Sequence, residues 1–216
     1  MNEHTHAAPI RVMFIGNSFT ARNKMPELVA QMAEARGRKF LHQLISAGGA
    51  SLRMHWNKGD ALQAIQLGSY DYVVLQEQST LPIKNPKRMH ENIRLFDQAI
   101  KDSGAKTALY LTWARQNAPD SQSAITTAYT TIGEELDSTI VPAGIAWQNF
   151  IRKHNHPVLH DKDQSHPSLA GSYLAACVFF AVLFDENPGG LVCDLKGITQ
   201  QEAELLQSTA WTTVQK

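Results

Sequence analysis

Arg11-Val12-Met13-Phe14-Ile15-Gly16-Asn17-Ser18 decides the fold. It is an apolar run that ends in a glycine-containing turn, the pattern of a buried parallel strand emptying into a loop. Ser18 therefore sits at a strand tip, exposed to whatever lies beyond the sheet. Further apolar runs follow at 40–45, 72–75, 107–112 and 140–141, and segments of helical periodicity separate them. In one of these Met25, Leu28, Val29, Met32 and Ala33 share a face, and in another Met89, Ile93, Phe96 and Ile100 do. Strands alternating with amphipathic helices predict an α/β protein, a parallel sheet of about five strands covered on both sides. Its ligand sites should lie beyond the carboxyl ends of the strands. Ser18, Gly49 and Gln78 all fall just past such ends.

The other informative stretch is Asp163-Gln164-Ser165-His166-Pro167. Its carboxylate and imidazole are three residues apart, so one tight turn can join them, and Pro167 restricts the residue before it to extended backbone. A serine hydroxyl needs an adjacent imidazole to take its proton as it attacks an acyl carbon. That imidazole in turn needs a carboxylate to hold its tautomer and stabilise its transient charge. Ser18, His166 and Asp163 supply the three types.

Composition narrows the partners. The 216 residues are most simply one domain, 10–216, behind a tail at 1–9. Twenty Lys and Arg against twenty Asp and Glu leave no net charge, so nothing favours nucleic acid or an anionic membrane as partner. A neutral small molecule is the expected one, and neither the periodicity nor the composition fixes an oligomeric state. The opening residues hold no apolar segment, which points to the cytoplasm for the sequence as given, or to a periplasmic or secreted site if the native N-terminus was trimmed. The two cysteines make no disulfide framework, and Cys177 reads as a buried small hydrophobe. The apolar stretch 174–184 is too short for a membrane span and reads as a core helix, with a last amphipathic helix at 198–212.

One rival reading stands beside the serine. His154, His156, His160 and His166 with Asp161 and Asp163 form a dense set of nitrogen and oxygen ligands that a zinc-type ion could use. A metal-dependent hydrolase would leave Ser18, Gly49 and Gln78 without work. Around the site, His55, Trp56, Trp113 and Arg115 follow predicted strands and suit an acylated carbohydrate, since tryptophan stacks on sugar rings and arginine binds hydroxyls or carboxylates.

The segments Gly16-Asn17-Ser18-Phe19-Thr20, Gly48-Gly49-Ala50-Ser51-Leu52, Val73-Val74-Leu75-Gln76-Glu77-Gln78-Ser79 and Asp163-Gln164-Ser165-His166-Pro167 resemble, in order, the four blocks of the SGNH hydrolases, the GDSL-like esterases and lipases. The resemblance runs over about residues 11–185 and implies a flavodoxin-like three-layer α/β/α fold. It also implies a serine esterase acting on small acyl esters without metal or organic cofactor, acetyl esters of sugars being the narrower version. By the same analogy Ser18 is the nucleophile, Asp163 and His166 complete the catalytic set, and an oxyanion hole is formed by the backbone amides of Ser18 and Gly49 and the side chain of Gln78. The chain departs from the family pattern at three positions. Asn17 stands for the usual aspartate and Gln78 for the usual asparagine, and Gln76 occupies the place of a family glycine. The second departure admits another class, a non-catalytic carbohydrate-binding or scaffold protein on the same fold.

Overall fold

The computed structural model describes residues 8–215. Its strands are β1 (Ile10–Gly16), β2 (Phe40–Ser46), β3 (Tyr72–Leu75), β4 (Lys106–Tyr110) and β5 (Thr139–Val141). They form one sheet in the order β2-β1-β3-β4-β5 with every neighbouring pair parallel. The helices between and after them are α1 (Ser18–Ala21), α2 (Met25–Ala35), α3 (Leu52–Lys58), α4 (Asp60–Leu67), α5 (Leu81–Lys84), α6 (Pro86–Asp102), α7 (Gln122–Leu136), α8 (Ala143–Lys153), α9 (Leu169–Phe184) and α10 (Gln200–Val214).

Side chains alternate across a strand, so β1 divides its apolar run between two cores. Val12 and Phe14 pack with Val74, Tyr110 and the inner faces of α2, α8 and α9, with α10 outside them. Met13 and Ile15 pack with Val73, Leu75 and the apolar faces of α3, α4, α6 and α7. This is the three-layer α/β/α arrangement expected from the sequence. Burial on both faces explains why β1 reads as a continuous apolar run and not as an alternating one. Each fully buried aliphatic there contributes about 1.5–3 kcal/mol.

The boundaries differ in instructive places. The run 107–112 leaves the sheet at Tyr110, because the Leu111 amide donates to Leu109 O and Val141 O, both at 3.1 Å, and turns the chain inward. Leu111, Thr112 and Trp113 stay buried, so hydrophobicity continues where the strand does not. The core helix starts before its expected position, capped by Ser168 Oγ on the Gly171 amide at 3.1 Å, and it is buried all round between the sheet and its helical neighbours. The last helix carries a reciprocal cap, Thr199 with Glu202. Residues 1–7 of the expected tail lie outside the described residues, and Ile10 already belongs to β1. No helix among the described residues is long and apolar enough to cross a membrane. Cys177 is buried and Cys193 half-buried, and both are free thiols.

Candidate active site

The site forms where the carboxyl ends of β1, β2 and β3 meet the turn before α9. Gly16 ends β1 against the side chains of Gln76 and Thr20. A Cβ on it would fall 2.7 Å from both Gln76 Oε1 and Thr20 Oγ1, so only glycine permits this approach. Asn17 follows, 1% exposed and bonded in three directions. Its amide donates to Gln76 Oε1 at 2.9 Å, its Oδ1 caps α1 by accepting from the Phe19 amide at 3.0 Å, and its Nδ2 donates to Ala50 O at 3.0 Å. Ser18 is thereby placed, half-buried, as the first residue of α1.

From the far end of the chain, 148 residues away, His166 brings Nε2 to 2.8 Å from Ser18 Oγ. Its Nδ1 faces Asp163 Oδ2 in a hydrogen bond. The other Asp163 oxygen closes the turn by accepting from the amides of Ser165 at 3.0 Å and His166 at 2.9 Å. Hydrogen bonding to His166, first through its side chain and then its backbone, holds the Asp163 carboxyl well below the usual carboxylate range, so it stays ionised. Gln164 takes the left-handed conformation that so short a turn demands, φ 62°.

Residues outside the four blocks hold this turn, and no motif marks them in the sequence. Asn23 Nδ2 donates to Ser168 O, Pro167 O and Ser172 Oγ, at 3.0, 3.2 and 2.9 Å. Arg22 pairs with Asp161 at 2.5 Å. Both lie just after α1, so the segment that carries Ser18 also grips the segment that carries His166.

The oxyanion candidates sit on two loops. Gly49 is exposed beyond β2 with φ 67°, and neither its amide nor that of Ser18 has a hydrogen-bond partner among the described residues. Gln78 follows β3. Its Oε1 accepts from the Thr80 amide at 2.9 Å and from Thr80 Oγ1 at 3.0 Å, which leaves Nε2 as the end without a partner among the described residues.

Two of the four residues read as substrate-facing are built into the protein instead. Trp113, 2% exposed, lies between Phe19 (4.9 Å, rings 5° apart) and Trp147 (3.8 Å, 2°) and donates from Nε1 to Ser165 O at 3.1 Å. It is a support under the 163–167 turn, because a tryptophan at a strand end finds more to bury against than to display. His55 is also buried, with Nε2 on Gly16 O at 2.7 Å. Trp56 is half-buried edge-on to Phe96 at 5.2 Å. Arg115 is exposed at a cavity of about 500 Å³ with Trp113, Gln116 and Arg152, whose lining includes none of Ser18, His166, Gly49 and Gln78.

The histidine cluster does not converge. His154 packs on Phe150, and His160 is buried edge-on to Trp147 with Nε2 on Ala114 O at 3.0 Å, while His166 faces Ser18. Among the described residues no group of three or more His, Cys, Asp or Glu is placed to hold a metal ion. Nearness in sequence misleads here because the isolated bridge between His160 and Pro167 folds the stretch back on itself and points its side chains to different faces.

No family model matches the sequence, and no curated protein matches it. Solved structures do. An inferred SGNH hydrolase from Slackia heliotrinireducens shares 26% identity at a TM-score of 0.70, over 82% of this chain and 100% of that one. A DUF4886 family protein from Bacteroides uniformis superposes over 96% of this chain and 95% of its own, at 20% identity and a TM-score of 0.81. Axe2, an acetylxylan esterase from Geobacillus stearothermophilus, matches 81% of this chain and 94% of its own at 16% identity and a TM-score of 0.64. With a five-stranded parallel sheet, the four sequence blocks in order and the likeness to the Slackia protein, the chain belongs to the SGNH hydrolase superfamily.

Proposed function

We propose that the protein is a serine esterase that hydrolyses small acyl esters. The observation that carries this reading is the contact of Ser18 Oγ with His166 Nε2 at 2.8 Å while the other ring nitrogen is bonded to Asp163. In the first half of the cycle Ser18 Oγ attacks the ester carbonyl and its proton passes to His166 Nε2. The tetrahedral oxyanion is met by the Ser18 and Gly49 amides and by Gln78 Nε2, donors with no other partner among the described residues. His166 then protonates the departing alkoxide, which leaves as the alcohol, and an acyl-serine remains. In the second half water gives its proton to His166 and attacks the acyl carbon, and as the acid departs the proton returns from His166 to Ser18 Oγ. Asp163 stays ionised throughout and offsets the imidazolium charge.

An acetylated carbohydrate is the substrate class we favour. Axe2 acts on acetylated xylan, and its likeness to this chain is the support for that choice. Of the side chains first read as sugar contacts, Arg115 keeps an exposed guanidinium and Trp56 a partly exposed ring. The test begins with a series of p-nitrophenyl esters of increasing acyl length, on which acetate should be turned over fastest. Ser18→Ala should remain folded and lose on the order of 10⁴-fold or more in kcat. An alanine variant that keeps most of the activity overturns the mechanism.

A further inference from the structure

Glu77 is a fully buried carboxylate to which the cycle above gives no part. It stands directly after β3 and Gln76, at the carboxyl edge of the sheet. Its Oε1 accepts from the Leu52 amide at 3.0 Å and from the Gln78 amide at 2.7 Å. Leu52 opens α3 at the end of the loop that carries Gly49, and Gln78 is the side-chain candidate for the oxyanion hole. One oxygen atom thus holds both loops. The second oxygen, Oε2, accepts from Asn92 Nδ2 on α6 at 2.8 Å, and Asn92 Oδ1 in turn accepts from Arg53 Nε on α3 at 2.9 Å.

We propose that Glu77 is a positioning residue that sets the oxyanion hole by tying the Gly49 loop to Gln78; the inference rests on the esterase reading above. Every group bonded to the carboxylate is a donor. The ionised form satisfies all of them, whereas a protonated Glu77 would aim an O–H at an N–H. Burial pushes the Glu77 carboxyl up, and the bonds from Asn92 and the two amides oppose that shift. A buried charge is costly unless hydrogen bonds compensate it, and no apolar residue of the same volume could bond two loops at once. The Gly49 loop is held again by Asn17 Nδ2 on Ala50 O, one residue past Gly49, so its C-terminal side is pinned both to the nucleophile turn and to the residue after β3. Glu77 touches no reacting atom. It acts through where it puts the donors.

The network can be inverted without losing a bond. In Glu77→Gln the amide oxygen can still accept from Leu52 and Gln78, but its nitrogen meets the Asn92 nitrogen, and turning Asn92 over would break the bond from Arg53. Adding Asn92→Asp restores an acceptor both to the introduced amide nitrogen and to Arg53, with the net charge unchanged. Diethyl p-nitrophenyl phosphate should first be shown to inactivate the wild type stoichiometrically through Ser18; an inert wild type overturns the esterase reading and this inference with it. With an active wild type, Glu77→Gln should lower kcat on p-nitrophenyl acetate about 10²-fold with KM within about two-fold, as for loss of an oxyanion donor. The double variant should recover most of the lost kcat, which a general loss of packing would not allow. Wild-type kcat in Glu77→Gln overturns the inference alone. So does a folded double variant no faster than the single one, or a rise in KM that matches the fall in kcat. If Glu77→Gln does not fold, the double variant decides, and if neither folds, Glu77 serves folding and the inference falls.

Discussion

Asn17 stands where the family resemblance leads one to expect an aspartate, and its Nδ2 donates to Ala50 O at 3.0 Å. An aspartate keeps the cap on the Phe19 amide but turns an oxygen toward a carbonyl in a site only 1% exposed. Asn17→Asp should therefore cost about 2 kcal/mol or more of stability at neutral pH, and recover part of it in acid where the new carboxyl protonates. Equal denaturant midpoints for the two proteins at pH 7 would show the Ala50 contact to be dispensable. The glutamines at 76 and 78 separate two kinds of loss. Gln76 is buried, and its Oε1 accepts from the Asn17 amide and from Thr20 Oγ1, so Gln76→Ala strands buried donors and should cost about 1–3 kcal/mol. Gln78→Ala removes the Nε2 donor that has no partner among the described residues, together with the half-buried Oε1 that accepts from Thr80. It should shift the unfolding midpoint less than Gln76→Ala and lower kcat about 10²- to 10³-fold at constant KM. A silent Gln78→Ala would leave the oxyanion to backbone amides alone.

At the scale of elements, the 163–167 turn is a short loop gripped from several sides. Trp113, in the loop after β4, donates to Ser165 O, and Asn23, after α1, donates to Pro167 O and Ser168 O. Trp113→Phe keeps one aromatic ring in the stack between Phe19 and Trp147 but removes the indole N–H and the second ring, leaving a gap at a site only 2% exposed. We expect about 1–3 kcal/mol of lost stability with about a tenfold lower kcat, as the His166 turn loosens. A Phe variant with full kcat would make Trp113 a packing residue alone. These supports also show where sequence reading stops. β1 is legible because burial on both faces leaves an apolar run, and the Asp163 turn because its partners are adjacent in sequence. Gln76, Glu77 and Asn23 are not, since a polar residue just past a strand or helix looks the same whether solvent or a buried group receives it. Their partners lie 59, 25 and 144 residues away, beyond the reach of periodicity. For the same reason the four histidine positions read as one cluster and Trp113 as a sugar platform.

For the whole molecule, the shifted groups set how stability depends on pH. Burial lowers the affinity of His160 for a proton, so the folded state stays neutral where the unfolded chain charges. The stability this supplies is complete above the unfolded histidine value of about 6.5 and is lost as pH falls below it. His42, lowered by burial as well, acts in the same direction. Asp163, held low by His166, contributes stability above the ordinary carboxylate value of about 3.9 and loses it only in stronger acid. Glu77 has the opposite sign. Its raised carboxyl takes a proton in the folded protein before the unfolded chain does, which favours folding as pH falls through that folded value. Between about pH 7.5 and 5.5 the histidines should dominate, and Tm should decline. His160→Gln removes the titrating ring from its place against Trp147 but keeps an amide N–H for Ala114 O, so its Tm should fall less than the wild type's over the same interval. His160 lies outside the proposed catalytic set, which lets the melting profile be read apart from the pH dependence of turnover. If His160→Gln and wild type lose the same number of degrees, burial of this ring is not what weakens the fold in mild acid.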